Sequence, residues 1–167
     1  IVPELYEAGL LPFIVILDGI TDVRNFGAIA RTCECAGVDA IVIPEHGSVS
    51  VGGDAIKTSA GALHHIPVCR VGSTAWAVKF LKENGYRVAA VTEKSEMSYV
   101  DGDYTGPVAL VMGAEDTGIS EGALAQCDTR VGIPMFGNIG SLNVSVAAGI
   151  MIYEVVHQRL NANLEVI

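Results

Sequence analysis

The chain has 167 residues, of which 50% are hydrophobic and 17% are charged, so it can bury one core and does not have the composition of a disordered protein. Its apolar runs are shorter than the roughly 20 residues that a membrane-spanning helix needs, which favours a soluble protein. Ten basic and 19 acidic residues give a net charge of −9, which by itself argues against a nucleic-acid-binding protein.

The first twelve residues have the character of a linker. Pro3 and Pro12 flank a short amphipathic segment, and the chain begins with Ile1 rather than Met. No secretory signal is apparent. We therefore expect one domain from residue 13 to residue 167, with residues 1–12 leading into it from a preceding segment.

The four cysteines form no CxxC pair, so a zinc site is not expected. Without a secretory signal they are best explained as buried or half-buried free thiols in the reducing cytoplasm. The sequence therefore predicts a cytoplasmic protein without a metal centre.

Strands and helices alternate along the chain. Continuous apolar, β-branched runs predict strands that are buried on both faces, at residues 13–17, 40–43, 66–71, 88–91, 108–112 and 129–133. Helical patterns lie between them, at 25–36, 74–84, 120–127 and 143–160, with a weaker pattern at 54–63. This order predicts an α/β fold with a mostly parallel six-stranded sheet and helices on both faces.

Ligands of an open parallel sheet bind at the carboxyl ends of the strands, so the loops there are the candidate sites. The loop after the first predicted strand leads into a helix that contains Asn25, Gly27 and Arg31. Asp22 or Asn25 can cap this helix, and capping and a functional role are equally good explanations of Asn25. Arg31 lies among small apolar residues, where an arginine is either paired with a carboxylate or available to an anion.

The loop after the fifth predicted strand places two glycines around a pair of carboxylates. Gly113 and Gly118 would let its backbone lie against a flat ligand, and Ser120 can cap the next helix. Tight-turn glycines with solvated acids are the alternative. The sequence has neither a GxGxxG after the first strand nor a GxxxxGK[ST], so a Rossmann cofactor site and a P-loop are not supported.

The loop after the sixth predicted strand ends at Ser141 and Asn143, both of which can cap the helix that follows. That helix is apolar on nearly all sides rather than along one stripe, so another surface should cover it. We predict a homodimer that packs through this C-terminal helix.

Taken together, the three loops resemble the SpoU/TrmH family of S-adenosyl-L-methionine-dependent RNA ribose 2'-O-methyltransferases, in the SPOUT superfamily. The resemblance extends from about Phe13 to the last helix. The matching motifs are Asn25-x-Gly27-x-x-x-Arg31-Thr32, Met112-Gly113-x-Glu115-x-x-Gly118, and Ile133-Pro134-Met135 with Ser141-Leu142-Asn143-Val144-Ser145-x-Ala147. The resemblance implies a C-terminal trefoil knot, which the hydrophobic pattern does not indicate.

The resemblance also implies a catalytic set and a cofactor-binding set. The catalytic residues would be Arg31, Asn25, Glu115, Ser141 and Asn143. The residues that bind S-adenosyl-L-methionine would be Thr92, Gly113, Ile133, Met135, Leu142 and Asn143. For Arg31 we favour electrostatic stabilisation over proton acceptance, because the pKa of a guanidinium exceeds about 12. Glu115 has two possible roles, to hold a loop through backbone amides or to oppose the sulfonium.

The same resemblance implies an RNA substrate. We favour 23S rRNA over tRNA, with a guanosine as the methylated nucleotide. Several ribosomal enzymes of the family carry an RNA-binding domain before the catalytic one, which fits a linker at residues 1–12. The long C-terminal extension that the resemblance leads us to expect of members acting on tRNA is not part of this sequence, which also favours rRNA. The alternatives are a tRNA 2'-O-methyltransferase, an inactive methyltransferase-like subunit, and a non-enzymatic α/β module that binds RNA or nucleotides. RNA binding needs only a local basic patch, for which Arg24 and Arg31 are candidates.

Overall fold

The structure is a computed structural model that describes residues 11–95 and 97–162. Its strands are β1 (Phe13–Asp18), β2 (Ala40–Pro44), β3 (Val68–Val71), β4 (Arg87–Val91), β5 (Met97–Ser98), β6 (Val108–Gly113) and β7 (Thr129–Gly132). Its α-helices are α1 (Val23–Cys35), α2 (Gly53–Thr58), α3 (Thr74–Glu83), α4 (Glu121–Gln126) and α5 (Val144–Asn161), with 3-10 turns at Ala62–His64 and Tyr99–Asp101. Most of the predicted linker, residues 1–10, and the end of the predicted domain, residues 163–167, lie outside the described residues.

All seven strands are parallel and form one sheet in the order β3-β2-β1-β6-β4-β7-β5. The predicted parallel α/β fold is confirmed, but the predicted number of six strands is wrong. The extra strand, β5, has two residues, too few to form an apolar run. It is held at the edge by Ser95, whose hydroxyl accepts a hydrogen bond from the Met97 amide at 3.1 Å and donates to the Arg130 carbonyl.

Burial on both faces holds for the centre of the sheet and fails at its edges. β1, β2 and β6 are almost completely buried. β3 and β7 are partly exposed, with Arg70 and Arg130 facing solvent, because β3 is an edge strand and β7 is covered on one side only by the short β5.

Helices pack on both faces of the sheet, as predicted. On one face α1, α2 and α5 cover Phe13, Val15 and Leu17 of β1. On the other face α3 covers Ile14 and Ile16, with Cys127 after α4 packed at the margin of this core. The carboxyl ends of the central strands are thereby left as the open edge where loops from both layers meet.

The last helix, α5, is buried along one side only. Val144, Ala148, Met151, Ile152 and Val155 face the core. Val146, Tyr153 and Leu160 are 51%, 47% and 59% exposed. None of the described helices is long and apolar enough to cross a membrane.

Near its end, α5 carries a buried arginine. Arg159 is 3% exposed and donates hydrogen bonds to the carbonyl oxygens of Leu11 and Gly106, each at 3.0 Å, and of Pro12 and Tyr104, each at 3.3 Å. Its guanidinium also lies over the Phe13 ring, 5.4 Å from the centroid. Burial lowers the pKa of Arg159 below its ordinary value, and the nearby Asp39 carboxylate only partly opposes this effect. The end of the last helix is thereby fixed to the start of the first strand.

The four cysteines are free thiols. Cys33 is buried and Cys69 and Cys127 are half-buried, as predicted, whereas Cys35 is exposed because it lies on the outer side of α1. Burial raises the pKa of Cys33, and burial with the neighbouring Asp128 raises the pKa of Cys127 to about 11.

Candidate active site

A cavity of about 430 Å³ lies at the carboxyl ends of β4, β6 and β7. It is formed by the loop after β4, the loop between β6 and α4, and the segment between β7 and α5. Five of the six residues predicted to bind the cofactor line it, namely Thr92, Gly113, Ile133, Met135 and Leu142. The sixth, Asn143, lies in the chain between two lining residues, Leu142 and Val144.

The cavity loop, residues 113–119, requires glycine at two positions for different reasons, one steric and one conformational. A Cβ atom on Gly113 would lie 2.4 Å from the Gly118 carbonyl carbon. Gly118 has a φ of +67°, and its amide donates to the Ala114 carbonyl at 2.8 Å. Gly113 is therefore required by the close approach of the loop to its own backbone, and the left-handed conformation of Gly118 favours glycine there.

Asn25 is available to the site because another residue caps its helix. The Asp22 carboxylate accepts hydrogen bonds from the amides of Arg24 at 2.8 Å and Asn25 at 3.1 Å. The Asn25 side chain is then free to accept, through Oδ1, a hydrogen bond from Asn143 Nδ2 at 3.1 Å. Gly27, in the same motif, lets α2 approach α1, since a Cβ there would lie 2.6 Å from Thr58 Cβ.

Asn143 and Glu115 complete a polar cluster at the start of α5. Glu115 Oε1 accepts hydrogen bonds from the Val144 amide at 3.1 Å and from Asn143 Nδ2 at 3.3 Å. Asn143 Oδ1 caps α5 by accepting from the amides of Ser145 at 2.9 Å and Val146 at 3.3 Å. Of the two roles considered for Glu115, a hydrogen bond to a backbone amide is therefore present in the structure.

The two other predicted catalytic residues lie apart from this cluster. Arg31 is exposed on α1, does not line the cavity, and has no carboxylate oxygen within 4 Å among the described residues. Ser141 is exposed and makes no hydrogen bond within the described part of the chain. The capping that the sequence allows for Ser141 is provided by Asn143, and Ser120 makes no side-chain cap for α4.

Sequence reasoning missed three charged residues of the cavity wall, Glu93, Lys94 and Glu121, whereas Asp116 belongs to the carboxylate pair already considered in the loop after the fifth predicted strand. Glu93, Lys94, Asp116 and Glu121 line it together with Glu115, so acidic side chains outnumber the one lysine. Glu93 and Lys94 directly follow Thr92, and the rule that places ligands at strand ends would have included them. An acidic wall favours a cationic ligand. In the described ranges no group of three or more acidic, histidine or cysteine side chains is arranged to hold a metal ion.

Comparison with known proteins identifies the family. A model of the SpoU rRNA Methylase family matches residues 12–153. The chain belongs to this family. The resemblance inferred from the three motifs is thereby confirmed, and the match covers every strand of the sheet and more than half of α5.

Curated relatives in the family carry names that refer to ribosomal RNA. The chain is 38% identical, over 94% of its length and 64% of the relative, to a protein of Yersinia pestis named 23S rRNA (guanosine-2'-O-)-methyltransferase RlmB. It is 40% identical to the protein of the same name from Shewanella oneidensis, over 93% of its length and 63% of the relative. The chain thus spans less than two thirds of these relatives.

Solved structures of the family share the fold. The SpoU methyltransferase AviRb from Streptomyces viridochromogenes, in complex with AdoMet, superposes with a TM-score of 0.84 at 27% identity, over 91% of this chain and 62% of that one. The A. aeolicus TrmH/SpoU tRNA modifying enzyme gives a TM-score of 0.83 at 29% identity, over 97% of this chain and 84% of that one.

Proposed function

We propose that the chain is the catalytic part of an enzyme that transfers a methyl group from S-adenosyl-L-methionine to a ribose 2'-hydroxyl of RNA. The observation that carries the proposal is the cavity at the strand ends, with the polar cluster of Asn25, Glu115 and Asn143 beside it. Membership of the SpoU family supports the same chemistry.

The cavity fits S-adenosyl-L-methionine in size and chemistry. Its volume of about 430 Å³ is in the range of small-molecule sites. The apolar side chains of Ile133, Met135 and Leu142 and the backbone around Gly113 would bind the adenosine part, with Thr92 nearby. The carboxylates of Glu93, Asp116 and Glu121 favour a ligand that carries a sulfonium. When bound, this cofactor supplies the methyl group as an electrophilic carbon.

The chain's own residues would orient the ribose. Asn25 Oδ1 is occupied by Asn143, so the Asn25 amide has N–H groups left to donate to a ribose or phosphate oxygen. Arg31 would bind the adjacent phosphate and stabilise the negative charge that develops on the hydroxyl oxygen. Glu115 and Asn143 would act by fixing the start of α5 against the cavity loop. Ser141, exposed two residues before Asn143, would contact the RNA.

For the substrate we favour a guanosine of 23S rRNA. Relatives at 38–40% identity bear that substrate in their names. The observation that supports the alternative substrate, a tRNA, is the structural likeness to the A. aeolicus tRNA modifying enzyme. We also propose a cytoplasmic location, with which either substrate is consistent. Residues 1–12 would join this domain to a preceding RNA-binding domain, which agrees with the greater length of the relatives.

The experiment is methyl transfer from tritiated S-adenosyl-L-methionine to transcripts of 23S rRNA and of tRNA, followed by mapping of the modified nucleotide. We expect tritium in the 23S rRNA transcript, at the ribose of a guanosine. Incorporation into tRNA alone would establish the alternative substrate. Calorimetric binding of the cofactor without incorporation into either RNA would indicate an inactive subunit, and no binding at all would indicate a non-enzymatic module.

We also propose the trefoil knot and the homodimer that family membership implies. The sheet order supports the knot. In the sheet, β7 lies on the side of β4 that faces away from β6, whereas α5 packs against α1. The segment between β7 and α5 must therefore pass back over the carboxyl ends of β4 and β6. Stretching single molecules from both ends tests it, since a knotted chain extends less than its full contour length. The exposed apolar side chains of Val146, Tyr153 and Leu160 on α5 support the dimer.

A further inference from the structure

Asp18, the last residue of β1, joins two elements at the edge of the sheet that carries the cavity. Its Oδ1 accepts a hydrogen bond from the Thr74 hydroxyl at 2.8 Å, and its Oδ2 accepts one from the Ser120 amide at 2.8 Å. Thr74 is the first residue of α3, and Ser120 is the residue before α4. Each oxygen of the carboxylate therefore accepts a hydrogen bond from a donor that is distant in sequence.

The two ends of the cavity loop both depend on the position of Asp18. The loop starts at Gly113, which is the strand partner of Asp18 in the pairing of β1 with β6. The residue directly after the loop is Ser120, whose amide donates to the Asp18 carboxylate. Between these points the loop is closed by the hydrogen bond from Gly118 to Ala114 and by the contact of Gly113 with Gly118. Releasing Ser120 would leave one end of the loop without its anchor.

No neighbouring group takes over this task among the described residues. The Asp18 carboxylate is the acceptor of the Ser120 amide, which donates to no backbone carbonyl in the described part of the chain. Thr74 is 3% exposed, and its hydroxyl would be buried without a partner if Asp18 were absent. Asp18 itself does not line the cavity.

We propose that Asp18 is a positioning residue for cofactor binding. It holds the loop of residues 113–119 in the conformation that forms the cavity wall, without contacting the cofactor. The hydrogen bonds to its carboxylate are charge-assisted. Losing them would change the conformation of the loop and would not remove a contact with the cofactor. This inference rests on the proposed function, because it takes the cavity as the S-adenosyl-L-methionine site.

The test compares Asp18→Ala with Asp18→Asn in calorimetric titrations with S-adenosylhomocysteine. We expect Asp18→Ala to bind about tenfold more weakly, which corresponds to the loss of one hydrogen bond to a charged group. Asp18→Asn should bind within about threefold of the parent chain, because its Oδ1 can accept from Ser120 while its Nδ2 donates to the Thr74 hydroxyl. Faster hydrogen exchange of the Ser120 amide in Asp18→Ala should accompany the loss.

Asp39→Ala is the matched control. The Asp39 carboxylate also accepts a backbone hydrogen bond, from the Phe13 amide at 2.8 Å, but at the opposite end of β1. This variant should lose stability and keep its affinity for S-adenosylhomocysteine. Thr74→Val removes one donor and leaves the carboxylate in place, so it serves if Asp18→Ala does not fold, and we expect it to bind about threefold more weakly.

The outcomes separate this inference from the proposed function. If the parent chain does not bind S-adenosylhomocysteine, the proposed function is wrong. If the parent chain binds it and Asp18→Ala binds equally well, the positioning role alone is wrong. An equal loss of affinity in Asp39→Ala, or a tenfold loss in Asp18→Asn, would overturn the hydrogen-bond explanation as well.

Discussion

At the scale of single residues, we propose that Arg31 binds the phosphate next to the reacting ribose, although it does not itself line the cavity. It follows Asn25 by six residues on α1, which places it about 9 Å further along the helix axis. We expect Arg31→Ala to bind S-adenosylhomocysteine as the parent chain does and to lose about 100-fold in kcat, because stabilisation of developing charge is lost. Single-turnover methylation and calorimetry measure the two effects separately.

Arg87→Ala is the control for the Arg31 prediction. Arg87 is also exposed, but it begins β4 at the amino edge of the sheet, away from the cavity. It should retain the parent rate, which shows that the loss of one positive charge is not sufficient. Unchanged turnover in Arg31→Ala would remove Arg31 from the catalytic residues.

Single residues were predictable where the chain itself gave a reason. The motifs indicated Asn25, Glu115 and Asn143, and the structure joins them through hydrogen bonds. Whether Asn25 caps its helix was open, because Asp22 and Asn25 are chemically equivalent caps and the backbone decides between them. Asp18 was missed since its partners, Thr74 and Ser120, are remote in sequence.

At the scale of elements, the tight cavity loop between β6 and α4 gives a direct prediction. In Gly113→Ala the new Cβ would meet backbone atoms of Gly118 and Ile119 at 2.4 Å, and a backbone contact cannot be relieved by a rotamer change. The loop must open, so we expect cofactor binding to fall by more than tenfold and stability to fall by about 2 kcal/mol. Calorimetry and urea denaturation measure these changes.

Gly122→Ala provides the matched comparison for the loop. Its Cβ would lie 3.7 Å from Ala75 Cβ, an ordinary contact, and the position is inside α4. We expect unchanged binding and a stability equal to or slightly above that of the parent chain, since alanine favours a helix by up to about 1 kcal/mol over glycine. Normal binding by Gly113→Ala would mean that the loop does not shape the site.

The elements themselves could be predicted where they are long and apolar. Continuous runs located the central strands β1, β2 and β6, because burial on both faces leaves no alternation. They could not reveal β5, whose two residues depend on Ser95 and on the edge of β7. Nor could they distinguish the exposed edge strand β3 from a central one, since neighbours in a sheet are not encoded locally.

At the scale of the whole molecule, Arg159 connects the last helix to the first strand. Its four backbone carbonyl partners lie near the start of β1 and before β6. We expect Arg159→Met to lower the free energy of unfolding by about 3 kcal/mol, because buried carbonyls lose their donors. Urea denaturation measures this loss, and Arg130→Met, at an exposed arginine, should change stability by less than about 0.5 kcal/mol. A similar loss in both variants would contradict the prediction.

The net charge of the chain is a poor guide to its ligands, because it does not say where on the surface the charged side chains lie. The value of −9 argued against nucleic acid, yet the chain belongs to an rRNA methylase family. Arg24 and Arg31 are both exposed on α1. They are seven residues apart, which is close to two helical turns, and they therefore lie on one side of the helix. Part of the acidic excess lines the cavity, where it favours a cationic ligand. Composition alone contains neither placement.

The exposed side of α5 determines the last prediction, that of a homodimer. Val146, Tyr153 and Leu160 recur every seven residues and so form one apolar row on the helix surface. A second copy of the same row would cover them, and two-fold pairing of one patch is the commonest arrangement in oligomers. We expect the parent chain to sediment as a dimer, and Tyr153→Glu, which introduces a charge at the centre of the row, to sediment as a monomer.

Trp76→Glu is the control for the dimer, because Trp76 is 55% exposed on α3, on the opposite face of the sheet. It places the same charge at an equally exposed apolar position and should leave the dimer intact. Sedimentation equilibrium over a range of concentrations distinguishes the species by mass. A monomeric parent chain would exclude the homodimer. If Trp76→Glu were monomeric and Tyr153→Glu remained a dimer, the interface would lie on the face covered by α3 and not on α5.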